Sequence, residues 1–301
     1  MSANVSTKTK VGLIGLGAMG RGAAKNMLAK GYDVVGYDVR DEALSWLRER
    51  GGQPASSLAE LARDVRIVVC FVVNSEQTEA VLFGDAGLVD QLPAGAVFIA
   101  CSTLPPAYVS ALGERLAARG LTLIDAPVTG GAVGAERGSL TVMAAGDKAA
   151  YERVRPILET FGGRIFHLGD SPGAGAQMKV INQLLCGVHL AAAGEALAMA
   201  KRQNLPLAMT LEILGSGAAA SWMLADRGPR MTSEAFDDVT SAVDIFVKDL
   251  GLVLDASREA RFAAPLAHAA YLAFLSVSGR GMGRLDDSAV ICNYNTSARQ
   301  E

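Results

Sequence analysis

An apolar run, Val11-Gly12-Leu13-Ile14, passes without a break into Gly15-Leu16-Gly17-Ala18-Met19-Gly20. This G-x-G-x-x-G spacing constrains the chain more than any other feature, because its three glycines meet three different needs. The first permits a tight turn, the second lets an anion approach the backbone, and the third lets the next helix pack on the strand. A glycine-rich turn alone is a weak signal. Here it has a strand before it (Val11–Gly15), a helical pattern after it (Met19–Lys30) and a second strand beyond (Asp33–Asp38). The free amides and dipole at that helix N-terminus hold phosphates. The pattern therefore predicts a dinucleotide site on Gly15, Leu16, Gly17, Ala18, Met19 and Gly20. Asp38, ending the second strand, can accept hydrogen bonds from both ribose hydroxyls of NAD and would repel the 2′-phosphate of NADP. Arg40 leaves other roles open: binding that phosphate, stacking on adenine, or standing in solvent. NAD is the expected cofactor.

Further β-branched runs at Arg66–Val73, Ala96–Cys101, Leu121–Asp125, Leu140–Ala144 and Arg164–His167 alternate with helical stretches such as Glu42–Arg50 and Ala107–Arg119. Strand, helix, strand repeated in this way predicts α/β architecture with a parallel sheet covered on both faces. The strands stop after Ser171-Pro172-Gly173. One long helix is expected from about Ala174 to Asn204, followed by helices broken near Gly215–Ser221, Gly228-Pro229 and Gly279–Gly283. Two domains are thus expected: residues 1–170, binding the nucleotide, and residues 171–301, comprising the long helix and an all-α substrate and oligomerisation domain. The 301 residues are enough for both.

With 28 Lys+Arg against 31 Asp+Glu, the charge balance argues for neither nucleic acid nor an acidic membrane surface. The first ten residues are polar and lack an apolar core, so no secretory signal is expected there. Val180–Ala200 is strongly apolar but contains Asn182, Gln183, His189 and Glu195, which suits a helix buried in protein. Cys70, Cys101, Cys186 and Cys292 have no metal-ligand spacing, and the first three sit in apolar runs as expected buried thiols. A cytoplasmic protein without a metal is the expectation.

Two later segments carry chemistry. Asp125-Ala126-Pro127-Val128-Thr129-Gly130-Gly131 follows a strand, and its adjacent glycines can turn backbone amides toward a carboxylate, although an ordinary Pro/Gly loop has the same composition. Gly173-x-Gly175-x-x-x-Lys179-x-x-Asn182-Gln183 opens the long helix. Lys179, Asn182 and Gln183 fall at i, i+3 and i+4, on one helix face. A lysine on so apolar a helix either has a chemical task or snorkels its ammonium to water.

With Phe246-Val247-Lys248-Asp249-Leu250 added, the four segments in this order resemble the β-hydroxyacid dehydrogenase family over nearly the whole chain, from about Val11 to Cys292. The resemblance implies an N-terminal Rossmann doubly wound sheet, a long interdomain helix and a C-terminal all-α domain that often supports dimers or tetramers. It implies an NAD-dependent dehydrogenase acting on a small hydroxy-carboxylic acid. Lys179 matches the catalytic lysine, and Thr129, Gly130 and Gly131 match a substrate-carboxylate loop. Asn182 and Gln183 match a polar pair orienting the substrate, with Gln183 where many relatives carry Asn. Thr103 matches a residue near the nicotinamide, and Lys248 one lining the cofactor and substrate cleft. A dinucleotide-binding protein without catalysis is the second class, which retention of Lys179 disfavours.

Of the remaining candidates, Cys186 stands seven residues after Lys179, where decarboxylating relatives carry a glutamate, so oxidation without decarboxylation is expected. His189 reads as a second acid or base, or as a hydrogen-bonded core residue. His167 and His268 read as structural. Trp222 and Met223 read as a substrate cap or as packing residues.

Overall fold

The computed structural model describes residues 9–294. The chain forms two compact units that divide between Lys179 and Val180.

In the first unit, β1 (Lys10–Ile14), β2 (Asp33–Tyr37), β3 (Gln53–Pro54), β4 (Ile67–Cys70), β5 (Val97–Ala100) and β6 (Thr122–Asp125) make one parallel sheet in the order β3-β2-β1-β4-β5-β6. Its helices are α1 (Ala18–Ala29), α2 (Asp41–Glu49), α3 (Leu58–Ala62), α4 (Ser75–Phe83), α5 (Pro106–Ala117), α6 (Gly131–Arg137) and α7 (Lys148–Phe161). Successive strand residues point to opposite faces, and both faces are apolar. Val11 and Leu13 join one buried layer with Val34, Val69 and Ile99, whereas Ile14 joins the other with Val35, Val68 and Phe98. Burying a side chain such as Phe98 contributes about 1.5–3 kcal/mol. The strand order reverses between β1 and β4, and the glycine turn sits at that switch point, where open α/β sheets bind ligands.

The expected strands Leu140–Ala144 and Arg164–His167 lie outside this sheet. They form β8 (Leu140–Ala144) and β9 (Gly162–His167), in a separate sheet of order β7-β8-β9 with β7 (Val128–Thr129). The reason is a change of partner at the end of β6: from Asp125 onward the chain pairs antiparallel with residues 140–145, through the Met143 amide donating to the Pro127 carbonyl at 2.9 Å and on into β7. Asp125 and Ala145 exchange both backbone hydrogen bonds, at 2.9 and 2.7 Å, and so tie the second sheet to the end of β6.

The second unit contains most of α8 (Ala174–Arg202), with α9 (Leu207–Gly215), α10 (Trp222–Ser233), α11 (Val243–Glu259), α12 (Pro265–Val277) and a 3-10 segment, Asp287–Tyr294. By length and composition α8 could cross a membrane, but half of its most apolar stretch is buried within the protein. No break occurs at Gly228-Pro229, where one was expected: α10 runs through both residues. Tertiary contacts hold it on either side. Arg227 pairs with Asp287 at 2.7 and 3.1 Å and with Asp226, and Arg230 pairs with Asp226 at 2.9 Å and Asp286 at 3.1 Å. Gly228 admits Leu211, whose side chain would overlap any added Cβ.

Candidate active site

Each glycine of the N-terminal turn has a separate structural duty. Gly15 has φ +83°, and a Cβ there would meet the Phe71 carbonyl oxygen at 2.5 Å. Gly17 faces open space, the condition for a phosphate to approach its backbone. At Gly20 a Cβ would overlap the Gly15 carbonyl oxygen, so only glycine lets α1 start this close to β1. No side chain caps the α1 N-terminus, which suits its amides to an anion.

Asp38 is buried and accepts the Leu16 amide at 2.7 Å and the Arg40 amide at 3.0 Å. Arg40, the residue whose role the sequence left open, grips the same carboxylate in a fork, at 2.9 and 3.1 Å. Burial alone would raise the Asp38 carboxyl; the Arg40 guanidinium and the two amides outweigh it and hold the group below the ordinary carboxylate range. A cavity of about 610 Å³ opens beside it, and its charged lining includes Asp38, Asp41, Arg48 and Glu60. These residues fit the adenosine end of a nicotinamide dinucleotide.

The second segment also takes the conformation glycine allows. Gly130 and Gly131 have φ +123° and +63°, and α6 begins there without a side-chain cap. Helix α6 packs tightly on α1: a Cβ at Gly22 would lie 2.5 Å from the Ala135 backbone, and Asn26 donates to the Ala135 carbonyl at 2.8 Å. The Thr129–Gly131 loop is thereby held relative to the nucleotide turn. Thr103 follows β5 and is half-buried.

Lys179 is buried, only 7% exposed. One turn further along α8, Asn182 donates to the Gln183 side-chain oxygen at 2.8 Å and to Cys186 Sγ at 3.3 Å. Gln183 is buried and donates to Asp249 Oδ2 at 2.5 Å. Lys248 Nζ lies 2.7 Å from the other oxygen of Asp249. Sequence reasoning gave Asp249 no role of its own, yet it joins Gln183 to Lys248. Its signal was available: an aspartate on the apolar face of α11, where a buried carboxylate needs partners.

Other candidates separate. Cys186 is half-buried and accepts from Asn182, and Cys70 and Cys101 are buried; burial pushes the Cys70 thiol up to about 12. His189 is exposed, so the core alternative does not hold; Gly187, two residues earlier, takes the face against Leu250. His167 stacks on Tyr151 at 4.3 Å with its Nε2 2.9 Å from the Gly146 carbonyl, a packing role. His268 is exposed. Met223 is buried in the helical core, while Trp222 is 53% exposed.

Comparison with known proteins yields two family matches. Residues 10–169 match the NAD binding domain of 6-phosphogluconate dehydrogenase, and residues 173–294 match the NAD-binding domain of NADP-dependent 3-hydroxyisobutyrate dehydrogenase. The chain is 44% identical over 281 residues to an L-threonate dehydrogenase of Cupriavidus necator, covering 93% of this chain and 94% of that one. It is 42% identical to an L-threonate dehydrogenase of Escherichia coli O6:H1, covering 93% of each. Among solved structures, a 3-hydroxyisobutyrate dehydrogenase from Salmonella typhimurium superposes with a TM-score of 0.90 at 41% identity, covering 94% of this chain and 99% of that one.

Proposed function

The chain belongs to the β-hydroxyacid dehydrogenase family of nicotinamide-dependent oxidoreductases, and from that premise we propose that it oxidises L-threonate to 2-dehydro-L-erythronate with NAD, with Lys179 as the general base. The observation that carries this reading is the buried lysine of α8, with a pair of carboxamides one turn beyond it.

The roles follow from the chemistry. The dinucleotide, when bound, accepts a hydride from the carbon being oxidised. The hydroxyl on that carbon must lose its proton at the same stage, and Lys179 Nζ takes it. The step needs the lysine as its free amine. Backbone amides of Thr129, Gly130 and Gly131 hold the substrate carboxylate. Asn182 orients the hydroxyls. Gln183, engaged with Asp249, fixes Asn182, and its extra methylene relative to asparagine gives it that reach. A four-carbon polyhydroxy acid matches so polar a set better than 3-hydroxyisobutyrate does.

A dinucleotide-reduction screen over L-threonate, D-erythronate, D-glycerate and 3-hydroxyisobutyrate, with tartronate semialdehyde tested in the reductive direction, should find the highest kcat/KM for L-threonate. Turnover of 3-hydroxyisobutyrate or tartronate semialdehyde with L-threonate ignored would overturn the substrate and leave the family untouched.

NAD should exceed NADP by at least about tenfold in kcat/KM, the equivalent of about 1.4 kcal/mol. Three of the four charged groups lining the adenosine cavity are carboxylates, and Arg40 is engaged by Asp38. Asp38→Asn, which loosens that fork, should lower the NAD-to-NADP ratio at least about tenfold. An unchanged ratio would mean that Asp38 does not select the cofactor.

A further inference from the structure

Asp125 belongs to the D-x-P segment before the carboxylate loop, and its side chain points away from that loop's task. The residue is 1% exposed, and its Oδ2 accepts the Gly173 amide at 3.1 Å and the Ala176 amide at 2.8 Å. These amides lie at the start of α8, among those no helix can satisfy from within. The carboxylate is thus a cap supplied from a residue 48 positions away in sequence. Lys179 stands three residues after Ala176, one turn along the same helix. The backbone of Asp125 is itself fixed by its two hydrogen bonds to Ala145.

Gly175 is fitted to this contact. A Cβ there would overlap the Met143 carbonyl oxygen and come within 2.9 Å of Asp125 Oδ2. Burial pushes the Asp125 carboxyl up to about 6, against the pull of the Ala176, Gly173 and Gly175 amides. An aspartate kept buried at this expense, in contact with the helix that carries the lysine, requires a reason beyond filling space.

We propose that Asp125 is a positioning residue: by capping the N-terminus of α8 from the end of β6, it sets the height and rotation of Lys179 relative to the Thr129–Gly131 loop, which begins four residues later in the chain. The proposal rests on the reading of Lys179 as proton acceptor. Asp125 touches no substrate atom and transfers no proton. It determines where the amine stands when the carboxylate is held.

The test uses the full-length enzyme and whichever hydroxy acid the unmodified protein turns over in the screen above. Asp125→Ala should lower kcat at least about tenfold with KM for NAD changed less than about twofold. Asp125→Asn retains one oxygen able to accept both amides and should restore kcat to within about threefold of the unmodified enzyme. Thermal unfolding of each variant reports the folded fraction. Should Asp125→Ala not fold, Gly175→Ala decides, since it displaces the same helix start with the carboxylate present and should give the same selective loss of kcat. A folded Asp125→Ala or Gly175→Ala enzyme of normal kcat overturns the proposal, as does an Asn variant impaired as severely as the Ala variant. Lys179→Ala, run alongside, separates the two claims. If it is inactive while the folded Asp125→Ala enzyme is normal, positioning fails alone; if it is active, the reading of Lys179 fails.

Discussion

Lys179→Ala is expected to lower kcat at least about a hundredfold, the lower end of what a positioned acid or base contributes. The alanine leaves no group on that turn of α8 to take the hydroxyl proton, because Asn182 and Gln183 carry amides that do not ionise. Binding of NAD should change little, since the glycine turn, α1 and Asp38 form their own contacts with one another. Lys179→Arg should fail as well, because a guanidinium keeps its proton at any working pH. In the unmodified enzyme kcat/KM should rise with pH through an ionisation that the alanine variant lacks. Steady-state kinetics from pH 6 to 10 on both proteins, with NAD binding followed by fluorescence, make the test. A variant with near-normal kcat would falsify the assignment of Lys179.

Arg227→Ala should lower the free energy of unfolding by about 3–5 kcal/mol, the range for removing one partner of a buried ion pair. Asp287 is fully buried and receives two hydrogen bonds from Arg227. Without the arginine its carboxylate is left buried beside Asp286 with Ser241 but no cation to pair with, and α10 loses the contact that carries it through Pro229. Burial already pushes the Asp287 carboxyl up, with Arg227 opposing. In the variant that opposition is gone and the carboxyl rises further. A group whose pKa is raised by folding adds stability below its unfolded pKa and loses it as pH rises through the folded one. The variant should therefore lose least stability at acid pH and most near neutrality. Urea unfolding at pH 5 and pH 7.5 reads this directly, and a loss under about 1 kcal/mol at both would show the network to be dispensable.

Several elements could be read from short-range pattern. The strands at 10–14 and 33–37 and helices α1, α2, α5 and α8 fall within a few residues of expectation, because buried parallel strands and long apolar helices have strong periods. Helices α3 and α4 are short, yet their starts, like that of the longer α7, were written in their caps: Ser57 accepts the Glu60 amide, Asn74 that of Gln77 and Asp147 that of Ala150. The two-residue strands β3 and β7 carry no period at all and exist only because a neighbour pairs with them.

What the sequence determined by itself are the features set by local chemistry. Gly15 is required by its positive φ and Gly20 by the close approach of the Gly15 carbonyl, and the α/β-then-α order follows from periodicity. The i, i+3, i+4 spacing alone puts Lys179, Asn182 and Gln183 on one face of α8. Only the tertiary structure decided which partners the polar side chains chose. Gln183 turned to Asp249 and Asp125 to the first turn of α8, and the Arg227–Asp287 pair carried α10 across a proline that local rules would have made a break. The physical reason is distance along the chain. A turn or a helix face is settled within a few residues, whereas a buried charge is satisfied by whatever the fold brings to it, 66 residues away for Gln183 and Asp249 and 60 for Arg227 and Asp287.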